Sequence, residues 1–234
     1  MFSFRTFQSR LLFFFAGFYI LAQVLAFLVV DAASRFNARS QINAELTSGG
    51  RVFDWVMQSQ SERFLDAAQI ISADLGFKIA YGSKDRSTLL AAMKNHAARV
   101  KADMMLLLSP DHTVIADTHH PKTGPVSFPF PRLIKAAEQS GKASAMAFSE
   151  GHLYRFVVVP LRAPVPVAWV VVGYTIDDAL ARQFKMLTSL EVTFVVEEGK
   201  DRVPITAVST LGSALRRELE ATLPSAGWKP GGPP

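Results

Sequence analysis

The chain has 234 residues, a formal net charge of +5, a sequence pI near 9.6 and no cysteine. The missing thiols exclude disulfides, Cys-ligated zinc, iron–sulfur clusters and thiol catalysis together. Lysine and arginine are scattered without a dense basic block, so no nucleic-acid partner is expected.

Leu11 to Val30 carries no charge and one strongly polar side chain, Gln23. A hydrocarbon core of about 30 Å takes about 20 mostly apolar residues, and backbone groups in lipid must pair within the segment, as a helix does. A single membrane-spanning helix is therefore expected at 11–30. Val30, Ala32 and Ala33 offer small residues to a signal peptidase, but the apolar region exceeds the roughly 7 to 15 residues of a cleavable signal. Arg5 and Arg10 precede the segment without an acidic residue, while Asp31, Arg35, Arg39 and Glu45 follow it. That bias places residues 1–10 in the cytoplasm and the body of the chain outside it.

From Asp31 to Leu75 no proline occurs, and Ile42, Leu46, Phe53, Val56, Phe64, Ala68, Ile71 and Leu75 recur at helical spacings. A long helix is predicted, with a kink or break at Gly49-Gly50, since glycine costs about 1 kcal/mol relative to alanine there. Its stripe also suits a second copy of the chain, so a homodimer along it is a candidate partnership. Gly76 and Tyr81-Gly82-Ser83 read as a connection. Asp85 can cap a second helix to Val100, with Leu89, Leu90, Met93, Ala97 and Val100 inward. In MMLLLSPDHTVIADT two apolar runs flank a proline- and aspartate-bearing turn, which predicts a β-hairpin.

HHPKTGPVSFPFP, with prolines at 121, 125, 129 and 131, reads as a loop without regular structure and as a lid candidate. A short helix from Arg132 to Ser140 ends at Gly141, a left-handed cap. Strands at Ala143 to Ser149, His152 to Leu161 and Val167 to Ile176 form an antiparallel meander. Asp177-Asp178 opens a helix to Leu187, a strand follows at Leu190 to Val196, and EEGKDR makes a turn. After Val203 an apolar stretch and a helix from Ser213 to Leu223 restart the pattern, and the SAGWKPGGPP tail is expected to be disordered. The class is α+β: an N-terminal membrane helix, a long helix, and an antiparallel sheet with helices on one side. The divisions are 31–199 for the main domain, 200–223 for the start of a second module, and 224–234 for the tail.

The long membrane-emergent helix followed by VKADMMLLLSPDHTVIADT, FPFPRLIKAAEQSG and VVVPLRAPVPVAWVVVGYTIDDAL resembles the double Cache family of bacterial extracytoplasmic sensor domains. The resemblance covers roughly Arg35 to Leu223. It implies a PAS-like sheet that binds a small molecule and a long helix that carries the change toward the inner membrane. It also implies a second Cache module, a second membrane helix and a cytoplasmic output domain, such as a histidine kinase, a cyclic-di-GMP enzyme or a chemoreceptor domain. Here the second module is only begun, so the sequence reads as a truncated relative or fragment.

No GxSxG, GxxxxGK[ST], HExxH, GGDEF or EAL sequence occurs, so no catalytic activity and no cofactor are expected. Asp117, His119 and His120 could in principle ligate zinc or nickel. Consecutive ligands rarely meet one ion, so they are read as a solvated loop entrance and no metal is assigned. The candidate contacts for a small ligand, a carboxylate or amino acid, are Arg99, Asp117, His119, Tyr154, Arg155, Tyr174 and Asp177. An arginine fork suits a carboxylate and a phenol fixes orientation. Alternation puts Tyr154 and Arg155 on opposite faces. Asp177 is equally explained as a helix cap. The expected function is sensing in a transmembrane receptor; the rival is an anchored adaptor domain that binds a protein. An enclosed polar-lined cavity on the sheet beneath the loop from Pro121 to Pro131 would favour the sensor, and a solid apolar core there with a flat exposed patch the adaptor.

Overall fold

The computed structural model describes residues 7–198 and 203–223, with backbone alone at 7–14, 29, 32–40, 42, 43, 198 and 203. The C-terminal tail, and residues 199–202 of the polar turn, lie outside the described residues. The chain divides into two compact units, Met1–Arg51 and Val52–Pro234.

The described residues of the first unit are helical and form the beginning of α1 (Phe7–Ala73). Among the described residues no helix is long and apolar enough to cross a membrane. The expectation of a spanning segment at 11–30 therefore finds no support in the structure. Nor does the helix break at Gly49-Gly50, because α1 continues through both. Two glycines cost about 2 kcal/mol, less than leaving several ladder groups unpaired at a break.

In the second unit α1 buries Val56, Met57, Leu65, Ala68 and Ile71. Leu75, expected on the same stripe, is 70% exposed. Asp74 explains the change: its extended backbone ends α1, and its carboxylate accepts from the Phe77 N–H at 2.8 Å to cap α2 (Leu75–Gly82). A short helix thus replaces the predicted connection, and it turns Phe77 and Ala80 inward. Asp85 caps α3 (Arg86–Arg99) as expected, accepting from the Ser87 and Thr88 N–H groups.

The hairpin forms as β1 (Met104–Leu108) and β2 (Thr113–Asp117), and the meander as β4 (Ala143–Ser149), β5 (His152–Arg162) and β6 (Pro166–Thr175). Within the predicted loop, β3 (Val126–Ser127) pairs with Val114 and Thr113, so that segment is not wholly irregular. A strand this close to Pro125 and Pro129 is tolerated because it lies at the sheet edge. The order is β3-β2-β1-β6-β5-β4, every neighbouring pair antiparallel.

Helices cover both faces of this sheet, not one. Met105, Leu107, Val157, Val159, Val170 and Val172 pack on Leu65, Ala68 and Ile71 of α1, Phe77 of α2 and Met93 of α3. Leu106, Leu108, Phe156, Val158 and Val171 meet Phe128 and the Leu133, Ile134 and Ala137 of α4 (Pro131–Ser140). The cause is in the strands: all five residues of β1 and nine consecutive residues of β5 are buried. A sheet apolar on both faces needs a layer on each. α4 ends at Gly141, whose φ of 78° is left-handed.

Asp177 caps α5 (Asp178–Thr188). The strand after it, β7 (Thr193–Glu198), pairs with β8 (Val203–Ser209) in a separate two-stranded sheet, followed by α6 (Ser213–Thr222). Phe194 and Val208 of this sheet share a third core with Val56, Met57, Ala181 and Phe184.

Candidate functional site

A cavity of about 390 Å³ lies on the sheet face opposite α1, beneath the proline-rich segment. Met104, Leu106 and Phe156 supply its floor, Val126, Phe128 and Phe130 its roof, and Asp117, His120 and Glu150 its polar rim. The aromatic rings brace one another: Phe130 sits 5.4 Å from Phe156, and Phe128 meets Phe130 edge-on at 5.5 Å. The segment is held at its near end by Arg86, which donates to the carbonyls of Ile115, Pro121 and Thr123 at 3.1, 3.2 and 2.7 Å. At its far end the Phe128 N–H donates to the His112 carbonyl at 3.1 Å. Gly173 keeps the floor open, since a Cβ there would lie 2.5 Å from Met104 Cγ and 3.1 Å from Phe156 Cε1.

A second cavity, about 330 Å³, lies between α1 and the sheet and includes Gln60, Phe64, Asp103, Arg155 and Tyr174. Arg155 and Tyr174 face each other across β5 and β6. The Arg155 guanidinium, 8% exposed, donates to Ser61 Oγ on α1, and Ser61 Oγ donates to the Met57 carbonyl at 2.9 Å. Burial lowers the pKa of Arg155. The Tyr174 ring stacks on Phe64 of α1 at 3.6 Å between centroids, and its buried hydroxyl finds no hydrogen-bond partner among the described residues. Burial, aided by the charge of Asp103, pushes that hydroxyl up to about 12.

The predicted site residues separate accordingly. Asp117 reaches the rim of the larger cavity, and His119 stands beside it on the same turn. Arg155 and Tyr174 belong to the helix-side cavity. Tyr154, on the opposite face as alternation required, is 5% exposed and packs on Phe156 without lining either of these cavities. Arg99 is exposed at the end of α3 and lines neither. Asp177 Oδ1 accepts from the Leu180 N–H at 2.9 Å, its role as a cap. The larger cavity therefore holds no arginine fork for a carboxylate. Sequence reasoning missed Glu150, which comes from the β4–β5 turn, and Arg86; neither is near Asp117 in sequence, and no local pattern marks them.

A PAS-like antiparallel sheet, with a long helix on one face and a loop over a ligand-sized cavity on the other, defines a sensory input module. The profile described as the double sensory domain of two-component sensor kinases matches residues 39–231, and the chain belongs to this double Cache family. No curated protein matches the sequence. Among solved structures, the sensor domain of the histidine kinase DctB from Vibrio cholerae is 13% identical and has a TM-score of 0.51, over 75% of this chain and 73% of that one. The likeness to DctB is one of fold. The periplasmic domain of Vibrio cholerae LuxQ is 19% identical over 66% of this chain and 75% of that one, TM-score 0.42. The sensory domain of the Campylobacter jejuni chemoreceptor Tlp3, solved with isoleucine bound, is 8% identical over 76% of each chain, TM-score 0.42.

Proposed function

We propose that this chain is the extracytoplasmic, small-molecule-sensing portion of a bacterial transmembrane receptor, working by conformational coupling. The observation that carries the reading is the cavity of about 390 Å³ beneath the proline-rich segment. Its volume is within the roughly 300 to 1,000 Å³ of small-molecule sites, and an apolar body with a polar rim is their usual chemistry. An adaptor would have no use for a hollow at that place.

Coupling has a short route. Phe156 lines the cavity, and the next residue back along β5, Arg155, bonds to Ser61 of α1 on the other face. A ligand that shifts β5 pulls on α1 through that bond, on the scale of an ångström or two seen in helix-shift switches. Anchoring through 11–30, with the N-terminus in the cytoplasm, belongs to the same reading and is supported by the charge-free stretch in the sequence. So does a dimer along α1, where Trp55 and Ile70 are 70% and 69% exposed.

Thermal-shift screening of the full chain against amino acids, carboxylates and polyamines tests the sensor. A ligand at 100 times its dissociation constant should add about 2.7 kcal/mol of stability. Val126→Trp, which fills the roof, should abolish the shift. Absence of stabilisation by every class would sink the proposal. Protease protection of residues 1–10 in spheroplasts, with the remainder digested, tests the orientation.

A further inference from the structure

We propose that His119, His120 and Glu150 form a binding site for a divalent transition metal at the rim of the larger cavity. The site goes beyond the sensing role and stands on its own geometry. His119 Nε2 lies 3.9 Å, and His120 Nε2 3.7 Å, from the same Glu150 Oε2. The ligand atoms all fall within 4.8 Å of one another. Ligands at about 2.0 to 2.2 Å from a tetrahedral ion stand about 3.3 to 3.6 Å apart. Exposed side chains close the remaining gap by small rotations, with no movement of the sheet.

Asp117 gives the cluster its order. Its Oδ1 accepts from the His119 N–H at 2.7 Å, which fixes the turn carrying both imidazoles. Its Oδ2 lies 3.4 Å from His120 Nδ1, so that ring turns Nε2 toward Glu150. A carboxylate behind a metal-bound imidazole is the usual outer partner, setting tautomer and orientation. The four groups thus divide as three ligands and one orienting residue. The consecutive Asp117, His119 and His120 set could not have done this, because it lacked the carboxylate across the cleft. Glu150 arrives from the turn joining β4 and β5, at φ 52° and followed by Gly151 at φ 79°. Asparagine or glycine is the ordinary residue at such a position, so a glutamate sits there against local preference.

Two nitrogens and one carboxylate oxygen suit Zn²⁺, Ni²⁺ or Co²⁺ and leave a coordination position free. His120 and Glu150 also line the cavity, so the free position adjoins the space a small molecule would enter. A donor atom of that molecule, or water, would complete the ion.

The test is calorimetric titration of the full chain in mild detergent, its affinity tag removed, with ZnCl₂ and separately with NiCl₂. One ion per chain is expected. His120→Ala and Glu150→Gln should each weaken binding by at least tenfold, and Asp117→Asn by about 10- to 100-fold, as for lost outer partners. His112→Ala, whose imidazole pairs with Glu138 away from the cluster, should leave the affinity unchanged. Melting temperatures without metal check that the variants fold. Failure of the unaltered chain to take up either ion in a one-to-one ratio would overturn the site. So would unchanged affinity in both His120→Ala and Glu150→Gln. Since metal alone is the probe, neither result depends on the thermal-shift screen.

Discussion

Along β1 successive residues go to faces of different character. Met105 and Leu107 enter the α1 side and are 0% exposed, whereas Met104 and Leu106 enter the loop side, are 5% and 8% exposed, and border a hollow. The strands are apolar on both sides, so composition does not separate the faces. The covering layer does. Against β1, α1 to α3 fill the grooves of one face and leave their hollow farther along, at Arg155 and Tyr174. On the other face α4 shares the cover with a segment whose prolines at 121, 125, 129 and 131 keep it from following the strands closely enough to close it. Around β1, close packing is thereby concentrated on the face that contacts α1, and space on the face beneath the proline-rich segment.

The sharpest test of that contrast is a pair of neighbouring truncations. Leu107→Ala should cost about 3 to 5 kcal/mol, because the helix-packed face cannot collapse around the void. Leu106→Ala, which enlarges an existing hollow, should cost about 2 kcal/mol or less. Urea denaturation of both variants measures the difference, and equal losses would mean that the faces are equally packed. Next in size is Gly173→Ala: the new Cβ must displace Met104 and Phe156, at about 1 to 3 kcal/mol. It should also weaken any ligand-induced thermal shift, since both side chains border the cavity.

A smaller effect belongs to Tyr174 on the helix side. Its hydroxyl is held up to about 12 by burial, while an unfolded chain releases that proton near pH 10. The unfolded state therefore binds fewer protons between those values, and stability that is complete below pH 10 falls as pH rises toward about 12. Tyr174→Phe should remove that alkaline loss. At pH 7 it should change stability by less than about 1 kcal/mol, because the hydroxyl leaves no bonded partner behind. Denaturation midpoints across pH 8 to 12 separate the two proteins.

Much of the sheet was legible in the sequence because its signals are local. The SPDH turn, Gly141, the Glu150-Gly151 turn and the caps at Asp85 and Asp177 each act over a few residues, and each stands where it was expected. What escaped depends on distant packing. Asp74 restarts a helix where glycines suggested a connection. α4 takes the second face because β5 is apolar on both sides, a property the single-layer reading overlooked. At the site, Asp117 and His119 were legible as polar residues ending a strand. Glu150 was not, since only the pairing of β4 with β5 and the sheet order carry that turn to the same rim. Arg155, a candidate for a carboxylate, lines the helix-side cavity and donates to Ser61 of α1, a partner 94 positions earlier that no local pattern marks.

The two-residue strand β3 has a further consequence. It is the outermost strand beside β2 and also part of the cavity roof, paired only through Thr113–Ser127 and Val114–Val126. A roof that parts to admit a molecule uncovers the backbone of β2, a ready template for another chain. Whatever occupies the cavity would then also guard the protein against aggregation, and solutions of the empty form should be the less durable in storage.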